Sequence, residues 1–187
     1  MKGFVRENQL LSLCGLNCGL CPMFLGKYCG GCGNGNQSCT IARCAMEHGD
    51  VEYCFRCTEY PCQKCGQPDA YDSFITHQRR TADLEKAKSI GIEAYNREQQ
   101  EKIEILQELL EQYNDGRKKT LFCLAVNLLE LPFLRQGMEA IRSQGQDLDA
   151  KARGALASTV LHQIAAEQGV ELKLRKSKAK TKGENHD

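Results

Sequence analysis

The chain has 187 residues, a formal net charge of +1, and 25 Lys and Arg against 24 Asp and Glu. That length suits one ordinary domain or two small ones, and the balanced charge excludes a bulk field pulling the protein onto nucleic acid or membrane. Trp is absent, aromatics make up 6%, and 12 cysteines inflate the 41% hydrophobic fraction, so the aliphatic core is modest.

Residues 1–13 lead into the cysteine-rich region. Leu10, Leu11, Leu13 and Leu16 come after Lys2 and Arg6. A secretory signal needs a longer apolar core and a small-residue cleavage site, whereas Asn17 and three early cysteines interrupt this one. No apolar run is long enough to span a bilayer. The expected location is the cytoplasm, with no membrane partner. In a reducing compartment, dense cysteine means metal or redox chemistry rather than disulfides. Eleven of the 12 cysteines fall between Cys14 and Cys65, an odd number that also argues against complete pairing.

Their spacing is regular. Cys14, Cys18 and Cys21 read C-x3-C-x2-C, Cys29 and Cys32 read C-x2-C, and four residues separate Cys39 from Cys44. Cys54 with Cys57, and Cys62 with Cys65, are again C-x2-C. A tight turn between two such cysteines aims both sulfurs at one ion, and Zn–S distances near ~2.3 Å result without chain strain. The glycines between residues 29 and 36 let the backbone fold tightly around an ion. Ser38 to His48 predicts a short helix between ligands. Few aliphatics accompany them: Leu16, Leu20, Leu25, Ile41 and Val51. So small a segment is marginal as an apolar core, and a structural zinc supplies roughly 10–16 kcal/mol of apparent binding free energy.

The candidate ligands are therefore Cys14, Cys18, Cys21, Cys29, Cys32, Cys39, Cys44, Cys54, Cys57, Cys62 and Cys65, holding two or three zinc ions. Three four-ligand sites need His48 as a twelfth donor; otherwise His48 reads as an exposed helix-end residue before Gly49. The rival cofactor is an iron–sulfur cluster. Cys57-x4-Cys62-x2-Cys65 has plant-type ferredoxin spacing and Pro22 comes directly after Cys21, though neither match is complete. C-x3-C-x2-C is also how radical S-adenosylmethionine enzymes hold their cluster, but their strand–helix barrels need more length than remains here.

Residues 66–80 read as a transition containing Pro68, and His77, Arg79 and Arg80 as a solvated helix approach rather than an anion site. Beyond it the pattern turns helical. Thr81 is the expected N-cap, with Asp83 and Glu85 favourable in the first turns. Gly91 separates that helix from a longer one, on which Ile103, Leu106, Leu109, Leu110 and Tyr113 recur at helical spacing. Asn114-Asp115-Gly116 is a stop signal. Leu121 to Leu131 reads as a buried helix, in which Cys123 is a small buried hydrophobe. Pro132 suits the first turn of the next helix, which ends near Gly145. Asp147 is expected to cap a last helix with a core stripe of Leu156, Val160, Ile164 and Ala165, ending by Gly169. Val170 to Leu174 reads as a short strand or the start of a tail. The last dozen residues, rich in Lys, predict disorder. Lys173, Arg175, Lys176, Lys178, Lys180 and Lys182 offer a weak nucleic-acid site against a plain solvated end.

The fold class is thus a small irregular Cys-rich metal-binding (zinc knuckle-like) module over 1–66, an all-α helical domain over 67–170, and a basic tail over 171–187. The runs Cys14 to Pro22, Cys29 to Cys32, Cys39 to Cys44 and Cys54 to Cys62 resemble a cysteine-rich family of bacterial and archaeal proteins, domain of unknown function 3795, for which zinc binding is expected. The resemblance covers about residues 13–65, and Phe74 to Gln99 is similar to the downstream helical segment of some members. It implies that Cys14, Cys18, Cys21, Cys29, Cys32, Cys39, Cys44, Cys54, Cys57 and Cys62 are the family cysteines; Cys65 is less regular there. The family carries no established reaction.

The residues contain no Ser-His-Asp order, P-loop or dinucleotide fingerprint. All-thiolate zinc sites are closed to substrate, so the expected role is a binding or adaptor module with a protein partner rather than an enzyme. The alternatives are an iron–sulfur protein with a redox or enzymatic role, and metal storage or sensing.

Overall fold

The computed structural model describes residues 3–34, 39–65 and 70–176. Seven α-helices run through these residues and no strand forms among them; one isolated bridge pairs Leu11 with Asn17. The chain is all-helical and cysteine-rich. In order the helices are α1 (Pro22–Leu25), α2 (Thr40–Glu47), α3 (Arg80–Ile90), α4 (Ile92–Gln112), α5 (Lys119–Leu128), α6 (Leu131–Gln144) and α7 (Ala150–Glu167). Single 3-10 turns occupy Cys18–Leu20 and Cys54–Arg56.

Local chemistry sets most of these boundaries. Gly91 adopts φ +83° and turns α3 into α4. Asn114 Oδ1 accepts from the backbone N–H groups of Gly116 and Lys118, closing the loop after α4. Pro132 stands in the first turn of α6, where its missing N–H costs nothing. Asp149, not Asp147, caps α7, accepting from the Ala152 N–H at 2.8 Å. Helix α3 starts at Arg80 without a side-chain cap, so Thr81 falls inside it. Asp83 is buried there, serving a polar network rather than the helix terminus.

Two apolar clusters result. The larger joins α4, α5, α6 and α7 through Leu106, Leu109, Phe122, Leu134, Ile141 and Leu161, and reaches back to Leu20. The smaller gathers Leu11, Leu13, Ala42, Ala45 and Tyr53 with Leu84 and Ala87 of α3 and Tyr95 of α4. The cysteine-rich segment therefore shares its core with the helices across the expected boundary at residue 66. A scarcity of aliphatics within residues 14–65 is met by side chains from α3 and α4.

Two further expectations change. Val170 to Leu174 is neither strand nor free tail: Leu172 is buried, Val170 and Leu174 pack on the larger cluster, and the Arg175 carbonyl accepts from the Asp72 N–H at 2.8 Å. Arg79 is not solvated but pairs with Glu130 and with Asp83, and Arg80 is buried. Cys123, by contrast, is buried as its sequence setting implies. Ser38, Pro68, Lys178, Lys180, Lys182 and the last dozen residues lie outside or largely outside the described residues.

Candidate functional site

The first wall of cysteines is built by turns rather than by long elements. Ser12 Oγ accepts the Leu16 N–H at 2.8 Å and the Ser12 N–H donates to the Leu16 carbonyl at 2.7 Å, closing the loop that carries Cys14. Gly15 takes φ +95° within it, and a Cβ there would lie 2.2 Å from the Arg80 carbonyl oxygen. Only glycine combines that dihedral with that approach. Cys18 opens a 3-10 turn whose Gly19 presses on Ile103 of α4, and Cys21 precedes α1. Cys39 is the N-cap residue of α2, its sulfur accepting from the Ala42 N–H at 3.5 Å.

These turns bring Cys14, Cys18, Cys21, Cys29, Cys32 and Cys39 around one cavity of about 310 Å³. The rest of its lining is mainly apolar and includes Leu16, Met23, Ile41 and Ile75, with Phe74 beside it and 69% exposed. Two of the six sulfurs accept peptide N–H groups, from Gly31 to Cys29 at 3.4 Å and from Ala42 to Cys39 at 3.5 Å. Ser12 Oγ also stands 3.3 Å from Cys14 Sγ.

The remaining five cysteines, Cys44, Cys54, Cys57, Cys62 and Cys65, line a second, much tighter pocket of about 20 Å³. Cys44 comes from α2 and Cys54 from the second 3-10 turn, so the pocket lies where α2 faces the loop of residues 54–65. His48 caps the end of α2 beside it. Its Nδ1 is 2.8 Å from the Cys44 carbonyl and 3.7 Å from Cys44 Sγ, and its Nε2 is 3.2 Å from Glu59. Both ring nitrogens are thus engaged as a helix-end histidine's would be. The Cys44 carbonyl and Glu59 favour its protonated form and raise its pKa.

The electrostatics of the walls disfavour bare thiolates. Burial pushes the Cys14 thiol up to about 11, against the hydrogen bond from Ser12, and the neighbouring Cys32 adds to the rise. Burial likewise pushes Cys18 up to about 12, against the Cys32 N–H, with Cys32, Cys14 and Cys21 adding to it. Cys54 is raised through its hydrogen bond to Cys65, then by burial and by Cys65, Cys14 and Cys62. Crowded sulfurs of this kind ionise together only when a cation stands among them. Among the described residues, no three His, Cys, Asp or Glu side chains converge in a preformed metal-holding geometry.

All twelve cysteines are outside disulfides. Cys123 of α5, read from sequence as a core residue, is close enough to Cys21 to feel its charge, and burial pushes its thiol up to about 11. Sequence reasoning also missed Asn17, inside the C-x3-C run. Buried, it donates to Asp83 at 2.9 Å and accepts from the Tyr95 hydroxyl at 3.0 Å. Two polar residues on helices, Asp83 and Tyr95, were the available signal.

No family model matches the chain, and no curated protein or solved structure is significantly similar to it.

Proposed function

We propose that this chain is a metal–thiolate protein in which zinc, held by the clustered cysteines, braces a surface that binds a protein partner in the cytoplasm. One observation carries the reading: the eleven cysteines between Cys14 and Cys65 divide without remainder into two walls, six around one cavity and five around another. Sulfur-only donor sets of at least four are what zinc takes in structural sites. The five-cysteine pocket suits a single ion, and the six-cysteine cavity is a second metal centre. Two centres need no twelfth donor, in keeping with the engagement of both His48 nitrogens.

The binding role comes from the same chemistry, since four thiolates around zinc leave no position for a substrate. A protein partner is favoured over nucleic acid because Arg175, one cation of the basic stretch, is committed to Asp72. Among the described residues no helix is long and apolar enough to cross a membrane. Unpaired thiols at this density fit a reducing compartment.

The test is elemental analysis of the full chain purified without oxygen. Zinc is expected, with Cys57→Ser and Cys62→Ser each lowering zinc content. A metal-free protein with undiminished stability would overturn the reading, and water bound to zinc in an X-ray absorption spectrum would count against the closed, non-enzymatic role.

A further inference from the structure

We propose that the two walls hold different cofactors: a polynuclear iron–sulfur cluster in the six-cysteine cavity and a single zinc in the five-cysteine pocket. The inference rests on the metal–thiolate reading above and assigns each centre its chemistry.

Size separates them. The pocket lined by Cys44, Cys54, Cys57, Cys62 and Cys65 encloses about 20 Å³, and the cavity lined by Cys14, Cys18, Cys21, Cys29, Cys32 and Cys39 about 310 Å³. The smaller space fits one small body among its sulfurs, while the larger, about fifteen times the volume, has room for several. A lone zinc would leave most of that cavity empty. A cluster of several irons and bridging sulfides fills it and still uses only four of the six thiolates.

The hydrogen bonds differ in the same sense. A metal–sulfide cluster with thiolate ligands carries net negative charge, which peptide N–H groups directed at sulfur offset and by which they set its potential. The N–H groups of Gly31 and Ala42 are both directed at sulfurs of the large cavity, Cys29 and Cys39. In the small pocket, Cys54 instead bonds to Cys65, and Cys44 faces the His48 ring. The apolar lining from Leu16, Met23, Ile41 and Ile75 would limit water at the cluster. The ferredoxin-like spacing of Cys57, Cys62 and Cys65 falls on the small pocket, so spacing alone would have pointed to the wrong wall.

The test is reconstitution of the full chain under argon with ferric iron, sulfide, a dithiol reductant and zinc together, the dithiol supplying the electrons for any ferrous iron in the cluster, then desalting and assay of iron, acid-labile sulfide and zinc. Iron and sulfide are expected in equal amounts with a visible charge-transfer band, alongside about one zinc per chain. Cys18→Ser and Cys29→Ser should lose the iron and sulfide and keep the zinc; Cys57→Ser should do the reverse. Should a variant fail to fold, as circular dichroism would show, the wild-type ratio of iron to sulfide still decides. Zinc in both centres, or iron without sulfide, overturns this assignment while leaving the metal–thiolate reading intact. A chain that takes up no metal overturns both.

Discussion

Asn17 Nδ2 donates to Asp83 Oδ2 at 2.9 Å, across 66 positions of sequence. Asn17 lies between Cys14 and Cys18, and Asp83 lies on α3, so this bond fastens the first cysteine loop to the helical bundle. The Tyr95 hydroxyl donates to the other side of the same amide at 3.0 Å.

Asn17→Ala removes both bonds and leaves a buried carboxylate short of a donor. The expected loss is about 2–4 kcal/mol, against about 1 kcal/mol for Tyr95→Phe. Urea unfolding of the two variants checks it. Equal losses would show that the Asp83 bond contributes little.

Lys102 makes a pH prediction. It is buried on α4 with its Nζ donating to the Leu129 carbonyl at 2.8 Å, and burial pulls its pKa down to about 8 from 10.5. Between those values the unfolded chain holds a proton that the folded chain has lost, so this residue's contribution to stability rises with pH across the window. Below about 8 its full cost is present. Relative to Lys102→Met, the wild type should gain roughly 3 kcal/mol between about pH 7.5 and about pH 10.5. Unfolding midpoints of both proteins at the two pH values, with reductant present, give the difference, and using the difference removes the titration of the thiols.

Gly15 and Gly116 share a left-handed backbone, at φ +95° and +92°, but differ in surroundings. A Cβ at Gly15 meets the Arg80 carbonyl and Leu84, whereas at Gly116 it meets nothing within 4 Å. Gly116→Ala should cost about 1–2 kcal/mol of backbone strain, and Gly15→Ala a further ~1–3 kcal/mol of overpacking. Thermal unfolding of the pair reads the gap; Gly15→Ala should also reduce metal retention at the Cys14 wall.

Asp72 holds the C-terminal stretch. Burial pushes its carboxyl up, but the Arg175 guanidinium and the N–H groups of Arg175 and His77 outweigh that and hold it below 3.8. Such a group contributes stability above its unfolded pKa and loses that contribution as the pH falls through the folded value. The Arg175 amide, 2.8 Å from Asp72 Oδ2, should keep its exchange protection through the usual carboxylate range and lose it only as the pH falls below that range, once intrinsic rates are corrected. At neutral pH, Asp72→Ala should raise tryptic cleavage after Lys173 severalfold.

Much of the helical part was legible because its signals are local. Gly91, the Asn114-Asp115-Gly116 stop and Pro132 act within a few residues of themselves, and the stripe of Leu106, Leu109 and Tyr113 is buried as its period implies. The cap of α7 was misplaced by two residues because Asp147 and Asp149 have the same chemistry, and only the start of the helix chooses between them. The division of the cysteines was not legible: alternate C-x2-C pairs look alike in sequence, and the cut falls between Cys39, the N-cap of a short helix, and Cys44 inside that same helix. Arg6 was equally opaque. It is buried, donating to the Glu52 and Leu11 carbonyls and lying over the Tyr53 ring, a role that needs residues 46 and 47 positions away.

The Asn127 side chain on α5 donates to the Leu20 carbonyl, in the turn between Cys18 and Cys21. On the ribosome, Cys18 and Cys21 emerge more than a hundred residues before that amide does. The turn they flank takes its final seat only once Asn127 has been made, so until then both cysteines wait in a loop not yet clamped to α5.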